Sequence, residues 1–408
     1  MAAPFFLGAV VLLLTISAPV FIVILAPTFM AIEGFGQAVP ALAFVQRMVE
    51  GINQFSLLAI PLFIFSADVI ARGEIGERLL RMVESLIGHV TGGVAITTAV
   101  ACALFGAISG VGAAAVVSIG PIVYPALIRQ GYSRGFAVGL ILSSSTLAML
   151  IPPSVAIIIY ALQTNGSVGQ VFLSGLSAGV VFTAMIATYA YVYARVKGIG
   201  RQPRAGRRER IDAFRNAFWA LGLPAIIFGG IYSGVFTPTE AAGAACVYAI
   251  VVETLVYRRL GLREVFRAGS VLTYYLTLEQ VPQYVTAIVG DNGPLVILAL
   301  VNVIFLVAGM FVDPSSAIIV LSPLIYPAAM GAGIDPVHLG AVIVLNVSIG
   351  MITPPMGMNI FLGVMTFRIS YFEAVKGVMP FIAVSLLTLG LITYIPELSV
   401  WLPGFVFG

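Results

Sequence analysis

Two proline pairs interrupt long apolar stretches of the chain, and polar side chains precede both. The pair at 152–153 follows four hydroxyl residues at 143–146, and the pair at 354–355 follows Asn346 and Ser348. Consecutive prolines remove backbone donors and break a helix, so carbonyl oxygens lose their partners. Bare carbonyls suit Na⁺, and the start of a half-helix directs a positive dipole end at an anion. Two such breaks predict paired ion or substrate sites, whereas one alone is equally consistent with a kink.

A second break precedes each proline pair. Three glycines and Ser109 occur at 106–112, and Asp313 and Pro314 occur in the matching stretch at 309–316. Close helix packing is an alternative role for the glycines. A carboxylate inside a membrane is costly without a partner, which favours a ligand role for Asp313. The alternative is a helix N-cap with Pro314 in the first helical position.

Asn346 and Asn359 are polar amides in apolar segments. Together with Ser144 and Ser145 they are the candidate substrate ligands. Hydrogen bonding between neighbouring membrane helices is the alternative role of the two asparagines.

These residues belong to an internal repeat with a constant offset of 202 residues. Matching positions include Pro121 and Pro323, Tyr124 and Tyr326, Pro125 and Pro327, Gly131 and Gly333, and the two proline pairs. No gap is needed over more than forty residues. Two homologous halves are typical of transporters.

Composition requires that these elements lie in a membrane. The 408 residues are 60% hydrophobic and only 9% charged, against roughly 25% charged in soluble domains. Apolar segments of spanning length recur along the chain, and the alternation of a barrel strand is absent, so the spans are predicted to be helices. The net charge is only +3 and no basic patch is interleaved with aromatic residues, which argues against a nucleic-acid-binding protein. The sequence contains no phosphate loop, nucleophile elbow or zinc motif that would indicate an enzyme.

Charge predicts that the two halves are inverted. The loop near Arg129 and Arg134 is basic, whereas its repeat partner at 331–338 contains Asp335 and no Lys or Arg. The basic loop, and the eight basic residues of 195–215, are assigned to the cytoplasm.

The count of crossings fails at one place. The charge assignment requires one more crossing between residue 267, which is assigned to the cytoplasm, and residue 291. Only about ten apolar residues, 268–277, lie in this interval, whereas a helix that crosses the hydrocarbon core needs roughly twenty. We infer that one span is missing near 270–275. With it restored, Arg47 is the only one of the 20 basic residues outside the cytoplasmic side, the N-terminus is cytoplasmic and the C-terminus periplasmic.

Several motifs, taken together and in order, give the chain a family resemblance. They are 58–63 (LAIPLF), 105–110 (FGAISG), 151–154 (IPPS), 234–242 (GVFTPTEAA) and 352–359 (ITPPMGMN). The chain resembles the large membrane subunit of tripartite ATP-independent periplasmic (TRAP) transporters almost end to end. Relatives often have a second serine after the first glycine break and an Ala-Asp soon after, where this chain has Val111 and 114–115 (AA).

The resemblance implies an all-α polytopic membrane protein of the bacterial inner membrane. Its fold is an elevator-type arrangement of two inverted-topology repeats with helical hairpins and discontinuous helices, similar to the wider ion-transporter superfamily. It implies Na⁺-driven uptake of an organic acid, such as a C4-dicarboxylate or sialic acid, with no organic cofactor. The implied partners are a small four-helix membrane subunit, a periplasmic substrate-binding protein, the carboxylate substrate and membrane lipids. The implied sodium ligands are Ser109, Ala148, Ile151, Pro153, Asp313, Gly350 and Thr353.

The predicted organisation follows the repeat. Residues 1–194 form the first repeat, with scaffold 1–50 and transport part 52–194. A cytoplasmic basic loop at 195–216 leads to the second repeat, 217–408, with scaffold 217–267 and transport part 268–408. One alternative function is a stand-alone sodium/carboxylate symporter without a binding protein. Another is an intramembrane enzyme that uses Asp313, although no second titratable group stands at a suitable spacing.

Overall fold

The computed structural model describes residues 55–261 and 293–407, which form helices connected by short loops. Within these ranges seven helices are long and apolar enough to cross a membrane, so the prediction of an all-α polytopic protein is confirmed. The helices are α1 (Ala59–Arg72), α2 (Ile75–Ile87), α3 (Gly93–Ser109), α4 (Gly112–Arg129), α5 (Arg134–Ser145), α6 (Val155–Gln163), α7 (Val168–Val196), α8 (Arg207–Tyr232), α9 (Pro238–Val251), α10 (Pro294–Phe311), α11 (Pro314–Gly331), α12 (Pro336–Gly350), α13 (Met358–Phe367), α14 (Tyr371–Tyr394) and α15 (Glu397–Phe407). A 3₁₀ helix (Phe55–Leu58) precedes α1, another (Thr146–Met149) follows α5, and a π-helix (Val252–Val256) extends α9.

The helix boundaries follow the 202-residue repeat seen in the sequence. Helices α3 to α7 correspond to α10 to α14, and α5 and α12 begin at Arg134 and Pro336, 202 residues apart. Contacts between the halves are exchanged in the same way. Helix α4 packs on α13 while α11 packs on α6, and α5 packs on α14 while α12 packs on α7. This exchange is what a two-fold axis relating the two halves requires.

The two halves are inverted. Ser133 caps α5, and its hydroxyl lies 3.3 Å from that of Tyr193, near the end of α7. A Cβ added to Gly340, near the start of α12, would lie 2.8 Å from Val171, near the start of α7. Because the 29 residues of α7 span ~43 Å, α5 and its counterpart α12 begin at opposite ends of the bundle.

Basic side chains gather at the end where α5 begins, which we call the basic side. Arg134 opens α5, Arg195 lies in the last turn of α7, and Lys376 lies in the first turns of α14. Arg201, in the loop after α7, donates to Thr91 at 2.8 Å. The other end has Asp335 before α12. This asymmetry agrees with the predicted cytoplasmic position of the basic loop.

Hairpins α3–α4 and α10–α11 turn inside the bundle. Gly110, with φ +64°, ends α3, and α4 restarts after Val111. In the second hairpin Asp313 caps α11 and Pro314 takes its first position, which is a strong start signal for a helix. Both tips therefore lie next to the helix breaks that follow them in the chain.

The remaining helices pack on the outside of these hairpins. Helix α1 packs on α9, and α8 packs on α2 and α9. The amphipathic helix predicted around 74–86 is α2, whose apolar face, including Leu79 and Val83, is buried. Helix α8 begins at Arg207, so the basic loop is shorter than the predicted 195–216. The predicted scaffold segment 1–50 lies outside the described residues.

A buried carboxylate joins α2 to α9. Glu253 is fully buried in the π-helix and accepts backbone N–H groups of Glu74 and Ile75 at 3.1 Å. These N–H groups are unsatisfied at any helix start, and a carboxylate also complements the positive dipole end. A Cβ on Gly73 would overlap the Glu253 carboxyl group. The first residues of α2 therefore depend on a side chain from the second half of the chain.

The structure places residues 261 and 293 on opposite sides of the bundle. The Tyr257 hydroxyl donates to Asn216 at 3.0 Å, which holds the end of α9 against the part of α8 near the basic side. Asn302 of α10 donates to Thr393 at 3.1 Å, near the other end of α14. The span predicted to be missing near 270–275 falls between these points and lies outside the described residues.

Candidate functional site

The tip of the first hairpin contacts the first proline pair. A Cβ added to Gly106 would lie 2.5 Å from the Cα of Ala148, and one added to Gly110 would overlap the carbonyl oxygen of Pro153. Ser109 lies between these glycines, is fully buried, and its hydroxyl has no hydrogen-bond partner in the described chain. The structure thus brings Ser109, Ala148 and Pro153 to one place, as the predicted sodium set requires.

Backbone oxygens are left free at this break. No donor from the described residues reaches the carbonyl oxygens of Ile151 or Pro153. Ser154 donates its hydroxyl to Met149 and accepts the N–H of Ile157 at 3.3 Å, so it caps α6. A buried carbonyl or hydroxyl without a partner is costly. Oxygens of this kind are the ligands that hard cations prefer.

The second break is closed more tightly by its own hydrogen bonds. Asp313 accepts the N–H and hydroxyl of Ser316 at 3.0 and 2.6 Å, so it does cap α11. The carbonyl of Gly350 accepts the N–H of Thr353 at 3.0 Å, and the Thr353 hydroxyl donates to Ile349 at 2.7 Å. Each carbonyl keeps a second lone pair. The cap alternative for Asp313 thus agrees with the geometry, while its ligand role stays a prediction.

Close glycine contacts hold the second hairpin tip. A Cβ added to Gly350 would lie 2.5 Å from the carbonyl carbon of Gly309, and one added to Gly309 would lie 3.0 Å from the Cα of Val347. Gly350 is the repeat counterpart of Ala148. The same pair of elements therefore meets at both breaks. The peptide bonds within both proline pairs are cis.

A hydrogen bond joins the two halves at the centre. Asn359 of α13 donates from Nδ2 to the Ser145 hydroxyl of α5 at 3.0 Å, and both residues are fully buried. A Cβ on Gly112, at the first hairpin tip, would lie 3.7 Å from Asn359 Nδ2. The Oδ1 of Asn359 and the hydroxyl of Ser144 have no partner in the described chain. These groups can bind a polar ligand beside the first break.

A known protein family matches both halves of the chain. The family described as "Tripartite ATP-independent periplasmic transporter, DctM component" matches residues 7–269 and 265–398. The chain belongs to the DctM family. It is thus one component of a tripartite periplasmic transporter and a multi-pass protein of the bacterial inner membrane. The two matched segments meet at 265–269, next to the place where the count of crossings fails.

Curated relatives of this DctM chain are similar over most or all of their length. The ectoine/5-hydroxyectoine TRAP transporter large permease protein UehC of Ruegeria pomeroyi is 38% identical over 427 positions, which cover 100% of both chains. The C4-dicarboxylate TRAP transporter large permease protein DctM of Vibrio cholerae is 37% identical, with 87% of each chain covered. The first alignment is longer than this chain of 408 residues. That relative therefore carries residues that this chain lacks.

The fold of this DctM chain is shared with a solved structure. The YdaH transporter of Alcanivorax borkumensis superimposes with a TM-score of 0.64 at 14% identity, covering 91% of this chain and 90% of that one. At this identity the likeness concerns the fold alone.

Asn346 of the DctM chain lies in a polar network that includes residues not predicted from the sequence. Its Nδ2 donates to Asn302 of α10 at 2.8 Å and to the carbonyl of Val342 at 2.9 Å. Asn302 bonds to Thr393 in turn. The Asn346 Oδ1 has no partner in the described chain. A lone asparagine in the apolar helix α10 was the only available signal for Asn302.

Proposed function

We propose that this chain is the large permease subunit of a TRAP transporter that couples Na⁺ entry to uptake of a carboxylate-bearing solute. The observation that supports it most strongly is the first hairpin tip. There the buried hydroxyl of Ser109 has no partner among the described residues, and a Cβ added to the adjacent Gly110 would overlap the carbonyl oxygen of Pro153. Na⁺, as a transported substrate, would bind these oxygens, and the backbone carbonyl of Ala148 would be a further ligand.

The second proposed sodium set is Asp313, Gly350 and Thr353. Support for it comes from the two-fold exchange of contacts, since Gly350 and Ala148 take equivalent positions. Asp313 supplies a carboxylate in place of the first tip's hydroxyl, and its oxygens can serve Ser316 and a cation together because each carries two acceptor sites.

The proposed ligands of the carboxylate-bearing substrate lie at the centre of the molecule. Asn359 and Ser145 come from different halves, and the Ser144 hydroxyl has no partner among the described residues, so the cluster offers donors without a fixed positive charge. Two bound Na⁺ supply that charge. Asn346, bonded to Asn302, would have to exchange that bond to reach the substrate. Relatives named for ectoine and for C4-dicarboxylates make both solutes candidates.

Elevator movement is the proposed mechanism. The two hairpins and broken helices would slide as one transport part against a scaffold that includes α8 and α9. Each charge that moves through 100 mV of membrane potential adds about 2.3 kcal/mol to the driving force. Additional partners are a small membrane subunit and a periplasmic substrate-binding protein.

Proteoliposome uptake tests this function. The permease with its cognate small subunit and binding protein is supplied with labelled ectoine, succinate or sialic acid, with and without an inward Na⁺ gradient. Accumulation of one solute only with Na⁺ supports the proposal. Accumulation that is unchanged when choline replaces Na⁺ would reject sodium coupling.

A stand-alone sodium/carboxylate symporter without a binding protein is the alternative that the sequence analysis left open. The same vesicles decide between the two. Equal uptake without the binding protein would support the stand-alone symporter and contradict the tripartite mechanism.

A further inference from the structure

A basic groove opens at the basic side between α2, α8 and the end of α9. It has a volume of about 710 Å³, and Arg78, Arg210 and Arg215 line it together with Phe214, Trp219 and Tyr257. None of the groove-lining residues is acidic. The proposed transport function uses none of these side chains.

The three arginines differ in how far they are neutralised. Arg78 bonds Glu74 at 2.7 Å, and its guanidinium lies 3.9 Å from the ring centre of Tyr257. Arg210 has its Nε and Nη2 atoms buried and without a partner in the described chain. Buried guanidinium nitrogens without acceptors are costly, because each lost hydrogen bond to a charged group is worth more than a neutral one. The Nε and Nη2 groups of Arg210 are therefore available to donate to an anion.

Two tyrosine hydrogen bonds between α8 and the end of α9 hold the groove in place. The Tyr257 hydroxyl donates to Asn216 of α8 at 3.0 Å, and the Tyr248 hydroxyl donates to Trp219 at 2.9 Å. Glu253 is not a groove-lining residue, and its carboxylate accepts the N–H groups of Glu74 and Ile75 at the start of α2. The arginines consequently keep a net positive field.

Exposed aromatic side chains continue from the charged groups along α8. Phe214 and Phe218 are 55% and 59% exposed, and Trp219 is 44% exposed, on a helix long and apolar enough to span a membrane. Tryptophan is enriched at the interface between headgroups and acyl chains, and Trp219 follows the charged first turns of α8. Arginines at that depth on the cytoplasmic side meet the anionic leaflet.

We propose that this groove binds the headgroup of an anionic phospholipid of the cytoplasmic leaflet. The phosphodiester accepts hydrogen bonds from Arg210 and Arg215, and the acyl chains lie along Phe214 and Phe218. Guanidinium groups suit this ligand because they present parallel donors to two phosphate oxygens. The lipid would fasten α2 and α8 to each other from outside.

Lipid retention on the purified full chain, with any membrane subunit that remains bound, tests the proposal. Native mass spectrometry and melting temperature are recorded with dioleoylphosphatidylglycerol, dioleoylphosphatidylcholine or inorganic phosphate. We expect phosphatidylglycerol alone to bind and to raise the melting temperature. In R210Q/R215Q its affinity should fall roughly fivefold for each arginine removed.

The matched control is R207Q/R208Q, which removes two exposed arginines of the same helix that do not line the groove. It should bind the lipid as the parent does. Equal losses in both double variants would reject the groove as a specific site. Protection by inorganic phosphate at equal concentration would reject a lipid as the ligand. If R210Q/R215Q instead released a co-purified protein subunit without losing lipid, the groove would be a subunit interface and the proposal would be wrong.

Discussion

At the scale of single residues, the proposed sodium site depends on the hydroxyl of Ser109. A buried hydroxyl can usually donate to the carbonyl four residues earlier in its helix, as Ser348 does to Val344 at 2.6 Å. Ser109 makes no such bond within the described chain. Its oxygen is therefore available to a cation at no cost in existing hydrogen bonds.

Replacing Ser109 with alanine should weaken Na⁺ activation of uptake. Loss of one ligand oxygen costs about 1 kcal/mol, which raises the Na⁺ concentration for the half-maximal rate roughly fivefold. The substrate-saturated rate at high Na⁺ should be retained. Initial uptake rates over a Na⁺ titration measure this. Ser66→Ala is the control, because Ser66 is also buried and its hydroxyl has no partner within 55–261 and 293–407, but it lies in α1. Equal Na⁺ dependence of S109A and the parent would exclude side-chain ligation.

Residue types and spacing predicted part of this site. The proline pairs, Ser109 and Asn359 were identifiable because broken helices and lone polar groups are unusual in apolar spans. Partners such as Asn302 and Glu253 were not, since they contact residues 44 and 179 positions away. Glu253 in particular stands in a run that reads as an ordinary helix end near the membrane surface.

At the scale of helices, both breaks rely on backbone surfaces that approach without side chains between them. Helix ends were well predicted where caps announce them, as with Pro314 after Asp313. The start of α8 at Arg207 was placed too late because its first turns are charged and resemble a loop. A capping bond from Gly206 to Glu209 at 3.3 Å begins that helix.

Gly350→Ala should separate the second hairpin from its break. The new Cβ would lie 2.5 Å from the carbonyl carbon of Gly309, and overpacking of this kind costs about 1–3 kcal/mol. We expect a lower melting temperature and uptake reduced at every Na⁺ concentration. Gly390→Ala is the control, as nothing lies within 4 Å of its added Cβ. A G350A protein with parental stability and uptake would show that the tip is not packed as described.

At the scale of the whole molecule, inversion is the organising property. The repeat and the charge asymmetry predicted it, and the contacts at both ends of α7 agree with it. The pairing of α5 with α14 and of α12 with α7 was not readable from the sequence. It depends on how two similar units interlock, which neither unit encodes alone.

Cysteine labelling can check the inversion directly. The two native cysteines, Cys102 and Cys246, are buried, so the background with a membrane-impermeant maleimide should be low. Gly200→Cys, in the loop after α7, should be labelled only from the cytoplasmic side. Gly331→Cys, at the end of α11, should be labelled only from the periplasmic side. Both positions leave 4 Å free around an added Cβ. Labelling of both from one side would contradict the inverted arrangement.

The Glu253 carboxylate also bears on how the protein is made. The N–H groups that it accepts belong to residues 178 and 179 positions earlier, so the ribosome must synthesise that much more chain before the start of α2 can be completed. Until then the first backbone N–H groups of the amphipathic helix α2 lack the Glu253 carboxylate as acceptor, and the helix lies against the lipid headgroups. Biogenesis of the first half is thereby tied to arrival of the second.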